Sequence, residues 1–393
     1  MSSRYQKAGM SILLQMAISA TLQAQVVQPG TQTNGSRSSN IITAVPFLLI
    51  TPDARTGGMG EAGAAVPPDA SSAGTNPAKL AFLDRSYGFS ASCSPWLKAL
   101  VPDINLAYLS GYYKIDDRNT IGSSLRFFSL GEIQYLDNNQ QDMGMYSPGE
   151  LAFDITYAKR FGEDFSLGTT VRYIYSNLSS GQFAAGQETR AGSALAVDIS
   201  AYYRKPAILF GTDAIVAGGL NISNIGTKIS YLSGGSNRNF LPANLKLGTA
   251  ATLLADNYNQ FTFALDLNKL LVPTQPIYDT NGQLIAGKDP DRSVPSGIFG
   301  SFADAPGGLR EELREISIAT GIEYWYKQQF SLRAGYFFES PRKGDRRYLT
   351  AGAGLKYQVF SIDFSYLMAN PQKSALANTL RFTLLFNFGE AAP

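Results

Sequence analysis

The chain has 393 residues, with 33 Lys and Arg against 31 Asp and Glu, 44% hydrophobic residues and no histidine. Near-neutral charge argues against nucleic acid as a partner, and the missing histidine excludes Ser-His and Cys-His nucleophile pairs and His-ligated metals. With one cysteine, Cys93, an internal disulfide is impossible.

Arg4 and Lys7 precede an apolar stretch from Ala8 to Leu22, interrupted by Ser11, Gln15, Ser19 and Thr21 and followed by Ala24. This predicts a secretory signal peptide over 1–24, since the apolar run is too short for a membrane helix. Its removal would leave acidic and basic residues in balance. Cys93 lies far from that cleavage region, so a lipid anchor at the cut is not expected and the thiol should be free. Residues 25–40, rich in Gln, Ser, Asn, Thr and Gly, predict a disordered N-terminal segment.

From Arg85 onward, fourteen segments alternate apolar and polar residues with the period of a strand. They fall near 86–92, 104–113, 119–129, 151–160, 164–176, 193–204, 214–223, 243–255, 259–269, 315–326, 328–339, 347–358, 359–369 and 378–388. Short turns are expected near Asp116, Gly162, Pro206, Asp256, Lys327 and Gln358. Long loops are expected over 130–150, 177–192, 224–242, 270–314, 340–346 and 370–377. Short turns on one side and long loops on the other are the habit of bacterial outer-membrane barrels. The predicted class is therefore all-β: a 14-stranded antiparallel transmembrane barrel over 85–393 with both termini on the periplasmic side. A soluble β-protein would show the same alternation, but not together with a signal peptide, aromatic girdles and alternating loop lengths.

Charge placement supports this register. One face carries Leu151, Phe153, Ile155 and Tyr157; Leu195, Val197, Ile199 and Ala201; Phe261, Phe263, Leu265 and Leu267; Phe360, Ile362, Phe364 and Tyr366; and Leu380, Phe382, Leu384, Phe386 and Phe388. The opposite faces carry Asp154, Arg172, Asp198, Lys246, Asp266, Glu323, Arg333, Lys356, Asp363 and Arg381. A Lys or Arg at mid-bilayer on the lipid face costs roughly 2 to 4 kcal/mol, so these ten residues are expected to line the lumen as a polar network. Tyr173, Tyr175, Tyr324, Trp325, Tyr326 and Tyr357, near strand ends, are expected in the interfacial girdles.

Residues 41–84 precede the first strand and mix an apolar run with clustered glycines. They can fold into the lumen as a plug, where Phe47, Asp53, Arg55, Asn76 and Pro77 would meet the inward charges, or form a periplasmic extension. The glycines lack the following Lys-Ser/Thr and the βαβ setting of a phosphate loop.

Pro46-Phe47-Leu48-Leu49-Ile50, Pro52-Asp53-Ala54-Arg55, Gly57-Gly58-Met59-Gly60 and Asn76-Pro77-Ala78-Lys79-Leu80-Ala81 resemble the opening of the PorV (LptO) family, outer-membrane barrels of the type IX secretion system of Bacteroidetes. The Asn-Pro-Ala element is also similar to the wider FadL-like barrels with an N-terminal plug, which often carry an aromatic residue where this chain has Thr75. The sharp motifs cover about 40 residues; the barrel likeness spans nearly the whole chain and is less specific. The PorV resemblance implies an outer-membrane component that binds the C-terminal domain of secreted cargo at a large translocon barrel (Sov or SprA) and delivers it to the surface sortase PorU. Other implied contacts are outer-membrane lipids and lipopolysaccharide. A FadL-like transporter of hydrophobic molecules is the alternative, and a general porin the third class.

No catalytic site, cofactor or metal is expected. Asp289 and Asp291 flank Pro290 and read as a solvated turn rather than a calcium site. The family's association with lipopolysaccharide deacylation finds no support in these residues. Candidate partner-binding positions lie in the long loops: Arg342, Lys343, Arg346 and Arg347, suited to phosphate or carboxylate or to lipopolysaccharide phosphates. Leu309 and Leu313 join them, on a short helix over Gly308–Arg314 with its charges exposed. Asn281-Gly282 marks a turn within the same loop.

Overall fold

The computed structural model describes residues 41–96, 103–136, 142–178, 183–184, 187–235, 238–279, 281–369 and 378–391. The expected signal peptide and disordered segment lie outside them, as does the 370–377 loop.

Fourteen antiparallel strands close into one barrel. They are β1 Arg85–Pro95, β2 Asn105–Lys114, β3 Asn119–Ser129, β4 Gly149–Phe161, β5 Phe165–Asn177, β6 Gly192–Leu209, β7 Thr212–Gly226, β8 Asn244–Leu254, β9 Asn259–Leu270, β10 Ile316–Tyr326, β11 Phe330–Phe338, β12 Arg347–Tyr357, β13 Phe360–Ala369 and β14 Thr379–Ala391. Strand β14 closes the ring on β1 through pairs such as Phe89↔Phe386 and Cys93↔Phe382, so no edge is left along the wall.

The expected parity holds. On β4, Phe153 and Ile155 are 42% and 60% exposed, whereas Ala152, Asp154 and Thr156 between and beside them are buried. The exposed stripes form an apolar outer surface that only hydrocarbon accommodates. Cys93 is a free, exposed cysteine on it.

Two expectations are corrected. Strand β6 runs through Pro206 to Leu209, and the chain reverses at Phe210-Gly211. Proline fits there because pairing with β5 ends at Tyr203↔Phe165, leaving the following residues on an unpaired edge. Trp325 is not in a girdle: it shares the inward parity of Glu323, and the Arg333 guanidinium lies 5.6 Å from its ring centroid. Tyr173, Tyr175, Tyr326 and Tyr357 do face outward and are exposed. The ends of the barrel wall meet on the short-turn side, where Arg85 pairs with Ala391, and the first described residues of the segment before the wall lie at the other end. The amide of Ala44 donates to Phe240 O, in the long β7–β8 connection.

Residues 41–84 therefore thread the lumen from the long-loop end to the short-turn end. They contain a 3-10 turn Pro46–Leu49, a one-turn helix α1 Ala54–Gly58, and 3-10 turns Ser72–Gly74 and Pro77–Phe82. Most of their side chains are buried. The clustered glycines let plug and wall backbones meet. Gly60 has φ +65, and a Cβ on Gly335 of β11 would stand 2.1 Å from Gly60 N; no residue larger than glycine fits that approach.

Candidate functional site

The inward carboxylates and guanidiniums form separate groups, three of which bond the plug directly. In the first, Arg55 of α1 grips Glu323 of β10 with Nε and Nη2 at 2.8 and 2.7 Å. Arg333 of β11 donates to the same carboxylate at 2.7 Å and to Asp363 of β13 at 2.5 Å. Arg55 also holds Asp69 of the plug at 2.9 Å. Charges alternate along this chain, which is how a dry lumen tolerates them. In the second, Arg172 bridges Asp154 at 2.7 Å and Asp198 at 3.0 Å and donates to the Asn224 side chain. Beside it Arg126 donates to Leu48 O of the plug at 2.7 Å. In the third, Arg381 of β14 meets Glu61 of the plug at 2.9 Å.

A fourth group uses backbone. Asp266 of β9 accepts the amides of Gly63 and Ala64 at 2.8 and 2.9 Å, with Lys246 at 3.8 Å. Lys79 donates to Gly63 O at 2.9 Å, and burial pulls its ammonium down to about 8. Nine of the ten predicted lumen residues thus join these groups. Lys356 keeps the inward parity but stands exposed at the short-turn end of β12, outside the network.

The predicted plug residues are its anchors. Phe47 stacks on Phe128 with centroids 6.1 Å apart. Asp53 caps α1 by accepting the Thr56 amide at 2.7 Å; burial and the neighbouring Asp69 carboxylate push its carboxyl up to about 6. Asn76 caps the turn that begins at Pro77. Its amide donates to Ala64 O at 2.9 Å and to Ala201 O at 3.0 Å, tying plug to plug and plug to wall. Thr75 is buried, and its carbonyl accepts the Asn221 amide. Above the plug a cavity of about 370 Å³ opens toward the long loops, lined by Leu48, Ile50, Trp96, Arg126, Asn221 and Lys246 among others.

At the long-loop end the expected basic patch does not form. Lys343 is buried between Glu311 at 2.6 Å and Glu315 at 2.9 Å. Arg346 makes a two-pronged pair with Glu339 at 2.9 and 2.8 Å, and Arg347 meets Asp345 at 2.7 Å. Arg342 alone of the four stands exposed outside any ion pair among the described residues.

The β9–β10 connection carries the short hairpin announced by Asn281-Gly282, pairing Ile277–Tyr278 with Leu284–Ala286. It continues through helix α2 Val294–Gly300 and helix α3 Leu309–Glu312, which runs into a 3-10 turn Leu313–Glu315. The helix is inverted relative to expectation. Glu312 and Glu315 are buried on Lys269 at 3.0 and 2.6 Å, while Leu309 and Leu313 are 75% and 60% exposed. Thr274 also donates to Glu315 at 2.6 Å, and Glu312 accepts the amides of Asp304 and Ala305. Phe299 and Phe302 stand exposed on the same connection. A buried carboxylate–ammonium cluster thus holds a long loop in one conformation with apolar side chains turned outward.

Sequence reasoning missed Glu61, Asp69, Arg126, Lys269, Glu312 and Glu315. Arg126 was within reach, since it shares the β3 parity of Ser124 and Phe128; the loop and plug acids follow no strand period. Among the described residues no group of three or more Cys, Asp or Glu side chains is placed to hold a metal.

The family model of the type IX secretion system protein PorV matches residues 32–277. No curated protein matches. Among solved structures, the chain is similar to the CymD monoaromatic hydrocarbon channel, at 13% identity, with 87% of this chain and 99% of that one covered and a TM-score of 0.49. Similar figures hold for the Pseudomonas putida toluene transporter TodX, at 13% identity, 87% and 99% coverage and TM-score 0.48. The Ralstonia pickettii toluene transporter TbuX matches at 11% identity, 87% and 98% coverage and TM-score 0.47.

Proposed function

The chain belongs to the family of the type IX secretion system protein PorV, and from that premise we propose that it is a non-catalytic outer-membrane station for secreted cargo. It takes the C-terminal domain of a cargo protein from a large translocon barrel of the Sov or SprA kind and passes it to the surface sortase PorU. The observation that carries this reading is the external platform: Leu309, Leu313, Phe299 and Phe302 are exposed on a loop locked by buried ion pairs. A pre-ordered apolar surface loses little conformational entropy on docking and favours a protein partner over a small solute. The lumen supports the same division of labour, because the plug is fastened to the wall along its length.

The basic turn at 342–347 has no part in this reading beyond Arg342, since its other cations are already paired. Deleting the gene tests the proposal. Cargo should accumulate with its C-terminal domain uncleaved and unattached to the cell surface, while uptake of fatty acids and aromatic hydrocarbons is unchanged. Normal cargo attachment with lost hydrocarbon uptake would replace it with a transporter.

A further inference from the structure

At the short-turn end, β6 and β7 outrun their neighbours. Pairing between β5 and β6 stops at Tyr203↔Phe165, whereas β6 and β7 stay paired down to Leu209↔Thr212. Residues Lys205–Leu209 therefore have no strand on that side, some 15 to 17 Å of edge at about 3.4 Å per residue; since Arg204 N donates to Asp164 O, the backbone groups that point there are the Pro206 carbonyl and the Ile208 amide and carbonyl. The tip is unusual. Phe210 and Gly211 have φ +54 and +77, a reversal that favours Asn-Gly, and a bulky aromatic in the left-handed region is strained. Lys327 and Gln328 build the same left-handed pair at the β10–β11 turn with polar side chains. Phe210 is instead 97% exposed and Ile208 is 74% exposed.

Arg204, Pro206 and Ile208 share the inward parity of Tyr202, so this strip faces the mouth of the barrel and not the lipid. At its upper end two guanidiniums converge on Phe82, the last residue of the final plug turn: Arg204 at 4.5 Å and Arg160 of β4 at 5.8 Å from the ring centroid. Neither has a carboxylate partner among the described residues, and Arg160 Nε is buried without an acceptor. The two like charges make this strip complementary to an anion, and their inward parity turns them away from the lipid face.

We infer that this strip is a docking site for an extended acidic and apolar segment of a periplasmic protein, which adds to the free edge of β6. Its carboxylates meet Arg160 and Arg204 and its apolar side chains cover Ile208 and Phe210. Backbone pairing supplies affinity and the side chains supply selectivity. The site lies opposite the external platform and stands independently of the cargo reading.

The test uses the full-length protein in detergent and two fluorescent eight-residue peptides followed by anisotropy, Val-Thr-Val-Thr-Glu-Thr-Glu-Thr and the same sequence with Lys for Glu, so that the apolar and charged side chains share one face of a strand antiparallel to β6. The Glu-bearing peptide should bind at least about tenfold more tightly, a difference of one good charged contact. Arg160→Ala with Arg204→Ala should abolish that preference. Phe210→Asn, which suits the turn and preserves the fold, should weaken binding severalfold. Equal binding of the two peptides would overturn the inference, as would loss of binding in the arginine variant with none in Phe210→Asn, which leaves the arginines as clamps on Phe82. Binding of phosphatidylglycerol vesicles in place of the peptide would also overturn it.

Discussion

Arg55 and Glu323, 268 positions apart in sequence, meet in a two-pronged ion pair of 2.7 and 2.8 Å that fastens the plug to the wall. Glu323 is fully buried and also receives Arg333. Arg55→Met would leave that cluster one positive charge short in a dry environment, a loss on the order of 3 kcal/mol. The variant should unfold at lower temperature in a heat-modifiability assay and pass measurable current in planar bilayers. Wild-type melting and silence in the bilayer would show that the pair holds nothing.

Gly335 and Gly218 make a matched pair of substitutions. A Cβ on Gly335 would overlap the plug backbone, whereas one on Gly218 of β7 meets nothing within 4 Å. Gly335→Ala should cost at least about 2 kcal/mol through forced displacement of the plug. Gly218→Ala should stay within about 0.5 kcal/mol of wild type. Equal melting temperatures for the two variants would contradict the close approach.

Asp53 gives the plug a pH dependence. Its folded value of about 6 lies above the ordinary 3.8, so the folded state holds a proton that the unfolded state has released. Stability from this group is complete below about pH 4 and declines as pH rises to about 6. Asp53→Asn keeps the helix cap and removes the titration. It should flatten the stability profile across that window and raise stability at pH 7 by on the order of 1 to 3 kcal/mol. A profile unchanged by the substitution would refute the buried protonated acid.

The chain's two tryptophans, Trp96 and Trp325, test the wall itself. Trp96 lines the cavity above the plug and lies 5.7 Å from the Arg381 guanidinium, and Trp325 lies under Arg333. Lipids brominated along their acyl chains should therefore quench the intrinsic fluorescence weakly. Strong quenching would place Trp325 in the girdle.

Much of this architecture was legible because strand parity is written in single residues. All fourteen strands, their alternation of turns and loops, and the inward side of Asp154, Arg172, Asp266 and Arg381 follow from period-two patterning. What patterning does not encode is the cross-strand neighbour. Trp325 looked interfacial until Arg333 on the adjacent strand gave it a lumenal partner. The basic turn looked free because Glu311 and Glu315 lie about 30 residues away from Lys343 in another loop. Helix α3 inverted for the same reason: its carboxylates answer Lys269 and Lys343, leaving the leucines outside.

Direct binding of cargo is the decisive measurement. The purified protein, immobilised in detergent, should retain the isolated C-terminal domain of a type IX cargo. Leu309→Glu with Leu313→Glu should lose most of that retention while melting like the wild type. Retention undiminished in the double variant would remove the external platform, and with it the account of how this barrel serves secretion.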